Sequence, residues 1–175
     1  MCKRKFWKLY TADLLRYAGK PERYIKKLLY FFRKAQTSSG INKLIYKFLL
    51  KIHRAKHGIE LSCNTKVGKG LYIGHAYNIT INERSILGDN INIHKGVTIG
   101  KENRGKRKGT PVIGNNVWIG INAAIVGNIK IGDDVLIAPN SYVNCDIPSH
   151  SIVFGNPCVI KHRDNATEDY VNNRV

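Results

Sequence analysis

The feature that most limits what this chain can become is a six-residue beat of aliphatic side chains. It runs Leu61, Val67, Ile73, slips by two residues, and resumes at Ile81, Leu87, Ile93 and Ile99. After a longer break it returns at Ile113, Ile119, Ile125, Ile131, Ile137 and Val143. A helix repeats near 3.6 residues and a half-buried strand near 2, so neither alone keeps this beat. Short strands joined by tight corners do, with three faces making one coil of roughly 18 residues. The residue after each aliphatic is often small (Gly68, Gly74, Gly88, Gly100, Gly114, Gly120, Gly132, Ala138), which predicts that it lets the backbone turn. Coils stacked at the strand spacing of about 4.8 Å would align equal positions into aliphatic ladders. The stretch 59–145 then makes roughly four to five coils of a mainly β, parallel β-helix.

The first third of the chain obeys another rule. Residues 1–58 hold 16 Lys/Arg against 2 Asp/Glu, whereas residues 59–175 hold 13 against 10. Ile41, Leu44, Ile45, Phe48, Leu49 and Ile52 fall at helical spacing, with Lys43, Lys47 and Lys51 off the stripe. An earlier segment, 21–32, mixes aromatic and aliphatic residues with Lys26 and Lys27. The organisation expected is a basic amphipathic helical segment over 1–57, a β-helical domain over 58–160, and a polar tail over 161–175, disordered or reaching a neighbour. The helical segment has two open readings. It packs on the β-helix or on another copy, or it makes a peripheral contact with an anionic membrane. No motif supports nucleic acid as the partner of this charge. Cys2, Cys63, Cys145 and Cys158 show no CxxC pair and read as free thiols of a reducing compartment. With no signal peptide and no spanning run, the expected location is cytoplasmic, at most at the inner face of the membrane.

Several segments carry a closer likeness: Gly58-Ile59-Glu60, Val67-Gly68-Lys69-Gly70, Gly74-His75-Ala76, Gly96-Val97-Thr98-Ile99-Gly100, Val117-Trp118-Ile119-Gly120, Gly127-Asn128-Ile129 and Ile147-Pro148-Ser149-His150. Over about 100 residues the chain resembles the hexapeptide-repeat acyltransferases, closest to serine acetyltransferases and their relatives in surface-polysaccharide biosynthesis. The resemblance implies a left-handed β-helix, acetyl-coenzyme A as co-substrate, and a homotrimer or a dimer of trimers with active sites between subunits. His75, in the two-residue slip, matches the family's general base. Glu60 stands where serine acetyltransferases carry an Asp that orients that base, and Gly74, Tyr77 and Asn78 surround it as candidate substrate contacts.

The break at 101–110 bears Lys101, Arg104, Lys106, Arg107 and Lys108 against Glu102, a charge suited to phosphates or an anionic acceptor. Positions matching the family's coenzyme A groove are Gly100, Lys101, Gly120 and Ala138, with Trp118 nearby and Lys106 and Arg107 on the loop. An amide near Gly100-Lys101 is placed to donate to the thioester oxygen. Two departures matter. The Arg-His that precedes the loop-closing proline in serine acetyltransferases is Gly109-Thr110 here, and the Asp expected before the catalytic His is Gly74. Both are substrate contacts, so the expected reaction is acetyl transfer to a hydroxyl of a sugar or glycan precursor. Serine O-acetylation and a non-catalytic β-helical scaffold are the alternatives. His75 and His94 do not supply the three histidines of an interface zinc site like that of β-helical carbonic anhydrases, and no metal is expected.

Overall fold

A computed structural model describes residues 2–18 and 20–175. Three helices come first: α1 (Cys2–Leu15), α2 (Arg23–Thr37) and α3 (Gly40–Ala55). Fifteen short strands follow and wind round three faces. One sheet holds β1 (Glu60–Leu61), β4 (Thr80–Ile81), β7 (Thr98–Gly100), β10 (Ala124–Val126) and β13 (Tyr142–Val143). The second holds β2 (Lys66–Val67), β5 (Ile86–Leu87), β8 (Val112–Ile113) and β11 (Lys130–Ile131). The third holds β3 (Tyr72–Gly74), β6 (Asn92–His94), β9 (Trp118–Ile119), β12 (Val135–Ile137) and β14 (Ser151–Phe154), all parallel, and is closed by antiparallel β15 (Val159–His162).

The thirteen hexad aliphatics become three ladders. Leu61, Ile81, Ile99, Ile125 and Val143 stack on the first face. Val67, Leu87, Ile113 and Ile131 stack on the second, and Ile73, Ile93, Ile119 and Ile137 on the third. Two further rungs fall outside the six-residue beat: Ile147 bridges Ile131, and Val153 pairs with Ile137. The last coil is shortened between Val143 and Ile147, which hides both from a period count.

The corners differ from the expectation in an informative way. The small residues after the aliphatics do not make the turns; they make room. A Cβ on Gly68 would lie 2.6 Å from the Gly88 carbonyl oxygen, and one on Gly88 2.5 Å from that of Gly114. The turning itself falls three residues before the next aliphatic, in two columns with left-handed backbone. One column is Gly70, Asn90, Asn116, Asp134 and His150, and the other is Gly58, Asn78, Gly96, Asn122 and Asn140. Asn and Asp tolerate this region because their short polar side chains bond locally, so asparagine marks the corners as firmly as glycine does. The amides of Asn90, Asn116, Asp134 and His150 each donate to a carbonyl one coil below.

Helices α1 and α2 join the first coil through one buried cluster. The Arg33 guanidinium is fully buried and grips Asp13 with two bonds of 2.7 and 2.9 Å. It also donates to the carbonyls of Val67 and Gly68, while Asp13 accepts the Leu71 amide. Phe6, Tyr10, Ile25, Leu28, Leu29 and Phe32 complete the apolar contact. The tail does not hang free: residues 163–175 fold back along the third sheet, burying Ala166, Thr167 and Val171. Asp134 accepts bonds from the Thr167 amide and hydroxyl and from the Ala166 amide. Burial works against its charge, but these donors and His150 outweigh it and hold the carboxyl below its usual range.

Candidate functional site

His75 follows β3 at the two-residue slip and has left-handed backbone, φ 50°. It is the extra turning residue of that corner. The ladder resumes at Ile81 only because His75 and Asn78 both take positive φ, and the imidazole is left exposed while Ala76 tucks inward. It lines a cavity of about 220 Å³ with Tyr17, Lys20, Glu22, Tyr72 and His94. Four of these come from outside the two-residue slip and were not anticipated: Tyr17, Lys20 and Glu22 lie between α1 and α2, and Tyr72 lies on β3. No periodicity signals the first three, because tertiary packing alone brings them to His75.

The expected partner Glu60 lines a different cavity, of about 580 Å³, with Arg54, Thr80, Gly100, Lys101 and Asn103. Among the described residues no hydrogen bond or ion pair joins Glu60 to His75. Tyr77 rests its ring against His57, centroids 4.6 Å apart, in a stack that continues through Tyr24 to His53. Asn78 is a corner residue whose amide donates to the His57 carbonyl. The Thr110 hydroxyl donates to the Arg84 carbonyl.

Gly74 has a structural cause. A Cβ there would stand 2.6 Å from Nδ1 of His94, which packs in the register position beside it. His94 thus fills the space an Asp at this position would use. Its Nε2 is buried without a partner, and burial together with the nearby His75 pushes its pKa down to about 4. It is neutral at physiological pH.

The 101–110 loop is an ordered hairpin. Glu102 and Gly109 exchange two backbone bonds, the Glu102 carboxylate accepts the amides of Asn103 and Arg104, and the Asn128 amide donates to the Arg107 carbonyl. Lys101, Lys106 and Arg107 remain exposed on it. The other anticipated donor-groove residues lie elsewhere. Trp118 packs between His94 and Tyr170 on the third sheet, and Gly120 and Ala138 sit at the corner leading from that sheet to the first. In one chain the anticipated residues therefore divide between the first face with its hairpin and the third face.

Residues 110–145 match the model of the bacterial transferase hexapeptide (six repeats). The ladders place the same repeat on both sides of that span. Over this span the chain is similar to the hexapeptide-repeat transferases. Among its relatives, the serine acetyltransferase of Staphylococcus aureus strain Mu50 is 41% identical over 114 residues, covering 65% of this chain and 54% of the relative. That of Helicobacter pylori strain 26695 is 38% identical over 111 residues, 63% of this chain and 65% of the relative. This hexapeptide-repeat protein thus spans between about half and two thirds of the length of those curated relatives. Among solved structures, the Neisseria gonorrhoeae serine acetyltransferase in complex with serine superposes with a TM-score of 0.72 at 29% identity, over 91% of this chain and 70% of the other.

These relatives overturn the expectation of a sugar or glycan acceptor and of a role in polysaccharide biosynthesis. That expectation rested on Gly74 and on Gly109-Thr110, two local departures inside a match of more than 110 residues to serine acetyltransferases. Gly74 is explained by the His94 ring beside it, without a change of acceptor.

Proposed function

We propose that the chain is an acetyl-coenzyme-A-dependent serine O-acetyltransferase with His75 as general base, acting as a homotrimer. The observation that carries this reading is the placement of His75: an exposed imidazole at the widened corner between β3 and β4, lining a cavity with Lys20, Glu22 and His94. The acceptor class comes from the serine acetyltransferase relatives. In the reaction, His75 takes the proton of the serine hydroxyl as its oxygen attacks the thioester carbonyl. The tetrahedral adduct then breaks its carbon–sulfur bond, and coenzyme A leaves as the thiol with the proton returned by His75. Lys101, Lys106 and Arg107 on the hairpin supply positive charge for the donor's phosphates, and Gly100 an edge amide. The division of anticipated residues between two faces of one chain supports a trimer, in which one subunit's first face would meet another's third. Glu60 would orient His75 only once the site is assembled. Free thiols at Cys63, Cys145 and Cys158 suit a cytoplasmic location.

The test is thiol release from acetyl-coenzyme A with L-serine as acceptor, in wild type and His75→Ala. Wild type should turn over, and the variant should fall by at least about 100-fold in kcat. Binding of acetyl-coenzyme A without turnover of serine would overturn the reading, and no binding at all would favour a scaffold.

One observation favours a membrane contact as well. Among the described residues no helix is long and apolar enough to cross a bilayer, but α3 is built to lie on one. Ile41, Leu44, Ile45, Phe48 and Ile52 all face outward, Phe48 with 62% of its surface exposed. Lys47 and Lys51 flank the stripe, and α3 contains no acid to offer a second copy of this basic helix. We infer that this face docks on an anionic lipid surface. Vesicles with phosphatidylserine should sediment the protein, neutral vesicles should not, and Phe48→Ser should weaken binding several-fold. Equal sedimentation by both vesicle types, or by neither while mass measurement shows α3 buried between copies, would overturn it.

A further inference from the structure

Beside the His75 cavity, and sharing His94, Tyr72, Tyr17 and Lys20 with it, lies a second cavity of about 380 Å³ on the outer face of the third sheet. Its floor is β6 and β9, its sides are the segment after α1 and the folded-back tail. Arg16 lines it from the turn that follows α1. The residue is only 4% exposed, and its guanidinium is held by two neutral acceptors: Nε donates to the Asn172 carbonyl at 3.1 Å and Nη2 to the Asn92 side chain. Its Nη1 is buried with no partner.

Among the described residues no carboxylate forms an ion pair with Arg16; Asp13 acts on it only from a distance. Among the described residues the ion pairs are those of Arg33, His150 and His162; Asp13, on α1 three residues before Arg16, is committed to Arg33. None of the described residues lining the cavity is acidic, whereas Lys20 adds a second cation. Burial brings the Arg16 guanidinium down to about 10, so it remains charged at neutral pH. A buried cation without an anion or a full set of acceptors is costly, because buried charges are as a rule paired. His94, another residue lining this cavity, also carries a buried nitrogen, Nε2, without a partner. Tyr72, Trp118 and Tyr170 give the remaining wall aromatic faces.

We propose that this cavity binds a small oxyanion, a carboxylate or a phosphate group, through the Arg16 guanidinium, with Lys20 adding charge and His94 lining the site. The guanidinium fork matches either group. Within one chain the site lies on a different face from Glu60, Gly100 and Lys101, and its occupancy is read without turnover at His75. Because His94 and Tyr72 belong to both cavities, an occupant would pack directly behind the wall of the His75 site.

The cavity carries its own reporter. Trp7 and Trp118 are the chain's two tryptophans, and Trp7 is exposed on α1. In the full-length Trp7→Phe variant, emission therefore comes from Trp118 alone. Acetate and inorganic phosphate are titrated at constant ionic strength against chloride, with glycerol as an uncharged control, and melting temperature is recorded in parallel. At least one oxyanion should give a saturable change in emission and raise the melting temperature; which of the two acts distinguishes a carboxylate from a phosphate site. Arg16→Gln should bind at least tenfold more weakly and lose the thermal shift. Should Arg16→Gln fail to fold, Lys20→Gln and His94→Gln take its place, each with an expected loss of threefold or more. Silence towards both anions, or unchanged binding in the folded variants, overturns the proposal.

Discussion

The helical front end and the β-helix bury apolar surface by opposite strategies. In the β-helix every coil repeats the one below, so each aliphatic meets its own kind and the ladders are sealed. Ile93, Ile99, Ile119, Ile125 and Ile137 all have 0% exposure. The helices have no repeat to lean on. α1 and α2 reach the first coil through a charged clasp inside an apolar cluster, and α3 packs by Tyr46, Leu50 and His53 while its own hydrophobic stripe looks outward. The lesson is that a hydrophobic periodicity says which side chains share a face, not which way that face points. The solenoid's period fixes both, because its interior is the only place a six-residue beat converges; a lone amphipathic helix can turn its stripe to the core, to a partner or to lipid.

The clasp is where the two regions can be pulled apart most forcefully. Arg33 is fully buried, is paired to Asp13, and caps the carbonyls of Val67 and Gly68. Removing one partner of such a pair strands the other charge away from water, which costs about 3–5 kcal/mol. Arg33→Ala should therefore show the largest loss of any single change in the helical segment, read by chemical denaturation. The cleaner signature is a split transition, with the helices melting ahead of an intact β-helix. A loss below about 1 kcal/mol would mean that the apolar contacts of Phe32 and Leu28 hold the two regions together unaided.

Much of this arrangement was legible beforehand, and the parts that were not share a cause. The three faces followed from the spacing of thirteen residues, since a strict period leaves the chain little freedom to do anything else. His75 stood out because the beat slips there, and the structure shows the slip as an added left-handed residue. The glycines after the aliphatics serve close stacking, whereas the corners are turned by other residues, half of them asparagines and three of them glycines. Ile147 and Val153 were lost to a shortened coil. Arg16, Lys20, Glu22 and Tyr170 were invisible for a different reason: they reach the cavities from the link between α1 and α2 and from the tail, and no local pattern encodes which solenoid face a distant segment will cover. Acceptor identity was misread from two positions, one of which turned out to answer to packing against His94.

The finer contrast between the two regions lies in matched apolar substitutions. Ile119 is sealed between Ile93 and Ile137 on the third ladder, so Ile119→Ala leaves a void that neighbouring coils, bound on both sides by backbone ladders, have little freedom to close. A loss of about 2–5 kcal/mol is expected. Phe48 is a larger side chain, and by volume alone its removal should cost more. It stands outward on α3, however, and Phe48→Ser should change stability in solution by no more than about 0.5 kcal/mol. The ranking by exposure and the ranking by size thus predict opposite orders for the same pair, and chemical denaturation of the two variants decides between them. If Phe48→Ser proves the costlier, the outward face is already covered in solution by another copy, the contrast between the regions collapses, and the lipid contact inferred for α3 goes with it.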